Sequence, residues 1–141
     1  MEKISIRIGL VLLLLFAFNE AKAQWSVSYY GNSSNSKVGV GYDFSEKLWA
    51  ELRIYSDLPL YDITVEGSLN YNFVRRDQYR TYVGLGMVVN LINGIFLPLG
   101  VQVSPFKNLK NFSFHIEMQI VEVFDYSDTY LNGHWGLRYR F

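Results

Sequence analysis

From Trp25 to Phe141 the chain alternates apolar and polar residues at every second position, with turn-forming residues breaking the alternation at intervals. Strict period two is the mark of a strand with two unlike faces. It predicts eight strands. The first, WSVSYY, sets Trp25, Val27 and Tyr29 on one face and stops at GNSSNS. The second, KVGVGYDF, sets Val38, Val40, Tyr42 and Phe44 against Lys37, Gly39, Gly41 and Asp43. After Ser45-Glu46-Lys47, LWAELRIYS opposes Leu48, Ala50, Leu52 and Ile54 to Trp49, Glu51, Arg53 and Tyr55, and Asp57-Leu58-Pro59-Leu60 ends it. The fourth, DITVEGSLNYNF, runs from Asp62 to Phe73, with Ile63, Val65, Leu69, Tyr71 and Phe73 on its apolar face.

Past Arg75-Arg76-Asp77, the fifth carries Tyr79, Thr81, Val83, Leu85, Met87 and Val89 opposite Arg80, Tyr82, Gly84 and Gly86. Asn93-Gly94 reads as a tight hairpin turn. The sixth has Ile95, Leu97, Leu99, Val101 and Val103, and the seventh Phe112, Phe114, Ile116, Met118 and Ile120 opposite Ser113, His115, Glu117 and Gln119. The last places Leu131, Trp135, Leu137, Tyr139 and Phe141 against Asn132, His134, Gly136, Arg138 and Arg140. Gly67 and Pro98, inside strands, mark bends or bulges.

One face is therefore apolar on every strand and free of charge until Glu122, while the other mixes small residues with Glu51, Arg53, Glu66, Arg80, Glu117 and Arg138. A soluble barrel would turn the apolar face inward and leave the charges in water. Three features favour the opposite. The longer segments reach the ~9–11 residues that a tilted strand needs to cross a bilayer. With both termini on the inner side, Trp25, Tyr42, Phe44, Tyr71, Phe73, Tyr79, Phe112, Phe114, Tyr139 and Phe141 fall at one level, as a belt at a membrane interface would. An even strand count closes the sheet and removes the edges that hydrocarbon does not tolerate. The expected fold is all-β, an eight-stranded antiparallel up-and-down transmembrane β-barrel.

The first residues sharpen this. Lys3 and Arg7, an apolar run from Ile8 to Phe18 and Ala21-Lys22-Ala23 have the three-part layout of a secretory signal peptide, expected to be cut after Ala23. Residues 1–23 are then the signal and residues 24–141 the barrel. The 141-residue sequence has no cysteine, so neither a disulfide nor an N-terminal lipid thioether is expected. Thirteen Lys and Arg balance thirteen Asp and Glu, and no basic patch argues for nucleic acid.

The final stretch, HWGLRYRF, carries a specific resemblance. Outer-membrane β-barrel proteins commonly end in a polar residue, any, Gly, any two, aromatic, any, aromatic, and His134, Gly136, Tyr139 and Phe141 stand in those places. The chain resembles small barrels of the OmpA/OmpX type in architecture over its whole mature length, and a signal ending in Ala-Gln resembles those of Bacteroidota. The resemblance implies an outer-membrane location in a Gram-negative bacterium, an assembly signal at those four residues read by the barrel-assembly machinery, and outer-membrane lipid as surroundings.

An eight-stranded barrel is filled by its own side chains, so the ionisable groups inside must pair. Glu51, Glu66 and Glu117 are expected to form a lumen charge network with Arg53, Arg80 and Arg138. An enzyme is the alternative, because some small outer-membrane barrels remodel lipid A with a His, a Ser two residues later and a Glu. Here Glu117 stands where that Ser would be, and Ser113 precedes His115, so acyl hydrolysis is disfavoured and no catalytic residue is assigned. Two histidines on different strands make no metal site, and no cofactor is implied. The outer loops GNSSNS, DLPLY, LING and FDYSDTY are short, with Asp57, Asp62, Asp125 and Asp128 near their tips. Short loops favour a structural or accessory subunit packed against a larger outer-membrane protein. A secreted soluble barrel holding a small ligand is the remaining alternative.

Overall fold

The structure is a computed structural model that describes residues 25–57, 60–90, 93–125 and 127–141. The signal-peptide reading of residues 1–23 lies outside the described residues. Eight strands follow one another: β1 (Trp25–Gly31), β2 (Ser36–Asp43), β3 (Leu48–Tyr55), β4 (Val65–Arg75), β5 (Tyr79–Val89), β6 (Gly94–Val103), β7 (Phe112–Val123) and β8 (Asp128–Arg140). Each pairs antiparallel with the next, and β8 returns to β1, so the sheet is a closed up-and-down barrel. Closure satisfies the backbone groups that an open edge would leave unpaired.

Two ends can be distinguished. The turn end holds Trp25 and Phe141 and the connections β2–β3, β4–β5 and β6–β7; the loop end holds the other four connections. At the seam Ser26 pairs with Arg140 and Tyr29 with Leu137, and the Phe141 N–H donates to the Trp25 carbonyl at 2.9 Å. The aromatic positions expected at one level do gather at the turn end. Trp25 and Tyr42 meet edge-on at 5.0 Å, Phe112 and Phe114 at 5.1 Å, and Tyr139 and Phe141 at 5.3 Å.

The alternation read from the sequence gives the orientation of nearly every side chain. Among the described residues, seven hydrophobic side chains are buried against seventeen polar or charged ones. The apolar face lies outside: Val40, Leu52, Leu69, Leu85, Leu99, Met118 and their neighbours are exposed all round the barrel. Four inward apolar residues break the polar interior. Val88, Phe96, Val121 and Val123 cluster between β5, β6 and β7 near the loop end, with Tyr55 and Tyr130 against them.

Several boundaries differ from the sequence reading. The fourth strand starts at Val65, because Leu60–Asp62 forms a 3-10 turn, although the Tyr55 N–H still reaches the Thr64 carbonyl at 3.1 Å. Asn93-Gly94 is not the two-residue hairpin turn. Gly94 already pairs with Val88 and Val123, and a Cβ there would stand 2.2 Å from the Glu122 carbonyl oxygen, so the glycine serves a close approach of β6 to β7. The last strand begins at Asp128, which shortens the expected FDYSDTY loop. The register of β4 with β5 shifts between Asn72 and Val74, whereas Gly67 keeps regular pairing with Leu52 and Met87 and marks no bulge. At Pro98 the β5–β6 pairing skips from Val83–Leu99 to Gly86–Phe96, as a residue without an N–H requires.

Small inward residues make room for large ones. A Cβ on Gly100 would lie 2.3 Å from the Tyr82 ring, and one on Gly86 would lie 2.3 Å from the Phe96 ring. The tightest case is at the seam, where a Cβ on Gly136 would meet the Tyr29 carbonyl oxygen at 1.8 Å and His115 Nε2 at 2.5 Å. Gly136→Ala should therefore lower stability by about 1–3 kcal/mol through overpacking. Gly133→Ala, where nothing lies within 4 Å, should not. Equilibrium urea unfolding of the two variants beside the parent checks this, and equal midpoints would contradict it.

Candidate functional site

The interior is organised around Arg53, which β3 projects across the lumen at 1% exposure. It points inward because it alternates with Leu52 and Ile54, and the neighbouring positions of β2 are Gly39 and Gly41, which leave space for it and Glu51. Its Nε donates to Glu51 Oε1 at 2.5 Å. Its Nη1 and Nη2 donate to the two oxygens of Glu117 on β7, at 2.6 and 2.8 Å. This forked pairing is the strongest geometry available to an arginine and a carboxylate. The guanidinium also stacks on Tyr30 at 4.0 Å, while Nη2 donates to the Tyr30 hydroxyl at 3.0 Å.

The two glutamates are filled by further donors. Glu51 accepts from Tyr30 Oη at 2.5 Å, Ser28 Oγ at 2.9 Å and Arg138 Nη2 at 2.5 Å. Glu117 accepts from the Tyr82 hydroxyl and from Gln119 Nε2 at 2.8 Å. Towards the loop end, Lys37 Nζ donates to Glu66 Oε1 at 2.6 Å and to Gln119 Oε1 at 3.3 Å, and the Tyr55 hydroxyl donates to Glu66 at 2.9 Å. Arg53 Nη1 stands 3.6 Å from Glu66 Oε2 and so links the two halves. Towards the turn end, Arg138 lies over the Trp49 ring at 4.3 Å, and Trp49 Nε1 donates to Asn72 at 3.0 Å.

Five of the six residues expected in the network, Glu51, Arg53, Glu66, Glu117 and Arg138, therefore come together. Arg80 does not. Among the described residues it makes no ion pair with these glutamates, because β5 places it beside the turn end, opposite Gln102 of β6. The third cation is Lys37 instead. Lys37, Arg53 and Arg138 match Glu51, Glu66 and Glu117 one for one, so the buried cluster is neutral as a whole. Sequence alternation had placed Lys37 on the inward face of β2. What it could not supply was the height of each residue along the barrel axis, which follows from the stagger between strands. Tyr30 and Tyr82, the hydroxyl bridges, were legible only as inward aromatics for the same reason.

The four residues of the terminal motif occupy distinct places. His134 is buried with Nε2 at 3.3 Å from Asn35 Oδ1, and Gly136 sits at the seam opposite Tyr30. Tyr139 pairs with Val27 and Phe112, while Phe141 is exposed on the outer face at the turn end. Ser113, His115 and Glu117 all face inward on β7. The Ser113 hydroxyl turns to the Arg138 carbonyl at 3.5 Å, the His115 ring packs on Tyr30 at 4.2 Å, and Glu117 is held by Arg53. Among the described residues, no group of three His, Cys, Asp or Glu is placed to hold a metal ion, and no helix is long and apolar enough to cross a membrane.

Compared with protein-family models, curated proteins and solved structures, the chain finds no match. The geometry of the barrel alone carries the functional argument.

The network makes a specific energetic prediction. Lys37→Met leaves the Glu66 carboxylate buried without its ammonium partner, which should cost about 3–5 kcal/mol. Lys37→Met with Glu66→Gln removes both charges and should recover a large part of that loss. Denaturant unfolding of the two single variants and the double variant measures the coupling, and simple additivity would refute a net ionic pairing here.

Proposed function

We propose that this chain is an integral outer-membrane β-barrel of non-enzymatic, structural or partner-binding role, of the OmpA/OmpX architectural type, in a Gram-negative bacterium. The observation that carries the proposal is the inversion of polarity. The interior holds a neutral network of buried charges, and the exterior carries the large apolar side chains. A soluble monomer seldom exposes a contiguous apolar patch beyond a few hundred Å², whereas hydrocarbon requires such a surface on a closed sheet.

Further features are consistent with this reading. Strands β4 to β8 run 10–13 residues, enough to cross a bilayer at a tilt. The ring of exposed aromatics at the turn end suits one interface. Acidic Asp57, Asp125 and Asp128 stand at the loop end, and Lys47, Arg75, Arg76, Lys107 and Lys110 at the turn end. In this reading the turn end faces the periplasm, residues 1–23 direct export, and His134, Gly136, Tyr139 and Phe141 are read by the barrel-assembly machinery. The filled lumen favours a wall element or an accessory subunit beside a larger outer-membrane protein over a pore.

Leu85 lies in the middle of β5 on the outer face, 58% exposed. If hydrocarbon surrounds it, Leu85→Arg should destabilise the inserted barrel by about 2–4 kcal/mol, as for a charge near a bilayer midplane. In water the same change would be nearly neutral. Folding into lipid vesicles, read by the difference in gel migration between unheated and boiled samples, measures it. Recovery of the parent protein from the aqueous periplasmic fraction without detergent would defeat the membrane reading. Phe141→Asp should lower the fraction inserted in cells, and unchanged insertion would remove the motif from the proposal.

A further inference from the structure

The network closes the middle of the barrel, but the turn end opens into a depression of about 640 Å³ between the β2–β3 and β4–β5 connections. That volume lies within the ~300–1,000 Å³ usual for small-ligand sites. Its walls hold five cations, Lys47, Arg75, Arg76, Arg80 and Lys110, and two anions, Glu46 and Asp77, a surplus of three positive charges. Glu46 is taken by Arg75 at 2.8 Å. Arg76, Arg80 and Lys110 make no ion pair among the described residues.

A second observation is independent of charge. Gln102 lines the same depression beside Arg80, is only 2% exposed, and has no hydrogen-bond partner at either Nε2 or Oε1. A buried amide with both ends unsatisfied is costly unless something polar completes it. Next to arginines, its N–H groups suit an oxyanion, and the flat guanidinium donors suit phosphate.

The third observation concerns the rim. Tyr71, Phe73 and Tyr79 line the depression and are also exposed on the apolar outer surface. Cations and outward-facing rings thus share one concavity. A free phosphate would use only the first, whereas a molecule with an anionic head and an apolar tail would use both.

We propose that the turn-end mouth binds the phosphate of an anionic phospholipid headgroup, held by Arg76, Arg80 and Gln102, with its acyl chains lying against Tyr71, Phe73 and Tyr79. The inference rests on the membrane reading above and deepens it by naming a specific lipid site on one leaflet.

The test is native mass spectrometry of the full barrel in mild detergent with equal amounts of phosphatidylglycerol and phosphatidylcholine. One phosphatidylglycerol per chain should be retained in preference by about tenfold, in line with charge-assisted pairing. Arg76→Gln with Arg80→Gln should abolish the preference while heat-modifiable migration shows the barrel intact. If that double variant does not fold, Arg76→Gln alone, on the exposed rim, carries the test. Equal retention of the two lipids, or a preference indifferent to these substitutions, would overturn the proposal. A parallel titration with inorganic phosphate separates the sources. Binding of phosphate that depends on Arg76 and Arg80, without preference for phosphatidylglycerol, would overturn the lipid and leave a free-phosphate site. Failure of the membrane reading is seen separately, as a wild-type protein that needs no detergent.

Discussion

Arg53 holds β3 to β7 across the barrel, and the interior is arranged to make that contact possible. A buried guanidinium is stable only where its donors are matched, since an unpaired charge in a medium poor in water costs several kcal/mol. Glu117 supplies the forked partner, Glu51 takes Nε, Tyr30 stacks beneath the plane, and Glu66 stands near enough to tie in Lys37. Each partner requires the next: Glu51 is balanced by Arg138, Glu117 is completed by Tyr82 and Gln119, and Glu66 by Lys37 and Tyr55. The chain of pairings spans β1, β2, β3, β4, β5, β7 and β8. Its loss at one point leaves a buried charge elsewhere.

This polar interior and the apolar exterior are two sides of one constraint. A closed eight-stranded sheet has a lumen narrow enough to be filled by side chains, and alternation sends every second residue into it. Once the interior is given to charges and hydroxyls, the hydrophobic residues that alternate with them lie on the other face of each strand. The glycines of β2, β5, β6 and β8 belong to the same constraint. Tyr82 over Gly100 and Phe96 over Gly86 show large side chains using the space a missing Cβ leaves.

The two ends of the lumen differ in their lining. Near the loop end Val88, Phe96, Val121 and Val123 form a small dry cluster above the ionic layer. Near the turn end Gln102, His115, Ser26 and part of Arg138 carry polar atoms without protein partners. Polar atoms without hydrogen-bond partners also lie towards the loop end, at Glu66 Oε2 and His134 Nδ1.

The sequence by itself determined the strands and their faces, because a period of two is a local property that survives without knowledge of the neighbours, and their even number led to the expectation of closure. Leu52 out and Arg53 in, or Ile116 out and Glu117 in, follow from alternation alone. The close approach at the seam, where Gly136 faces the Tyr29 carbonyl, came only from the structure. What only the tertiary structure decided was axial position. Arg80 and Lys37 are both inward-facing cations, yet stagger between strands raises Lys37 to Glu66 and leaves Arg80 at the mouth beside Gln102. Turn boundaries at Gly94, Val65 and Asp128 were decided in the same way, by where a neighbouring strand offered a hydrogen-bond partner. Pairing across a lumen is a sum over all eight registers, and no short window of sequence contains it.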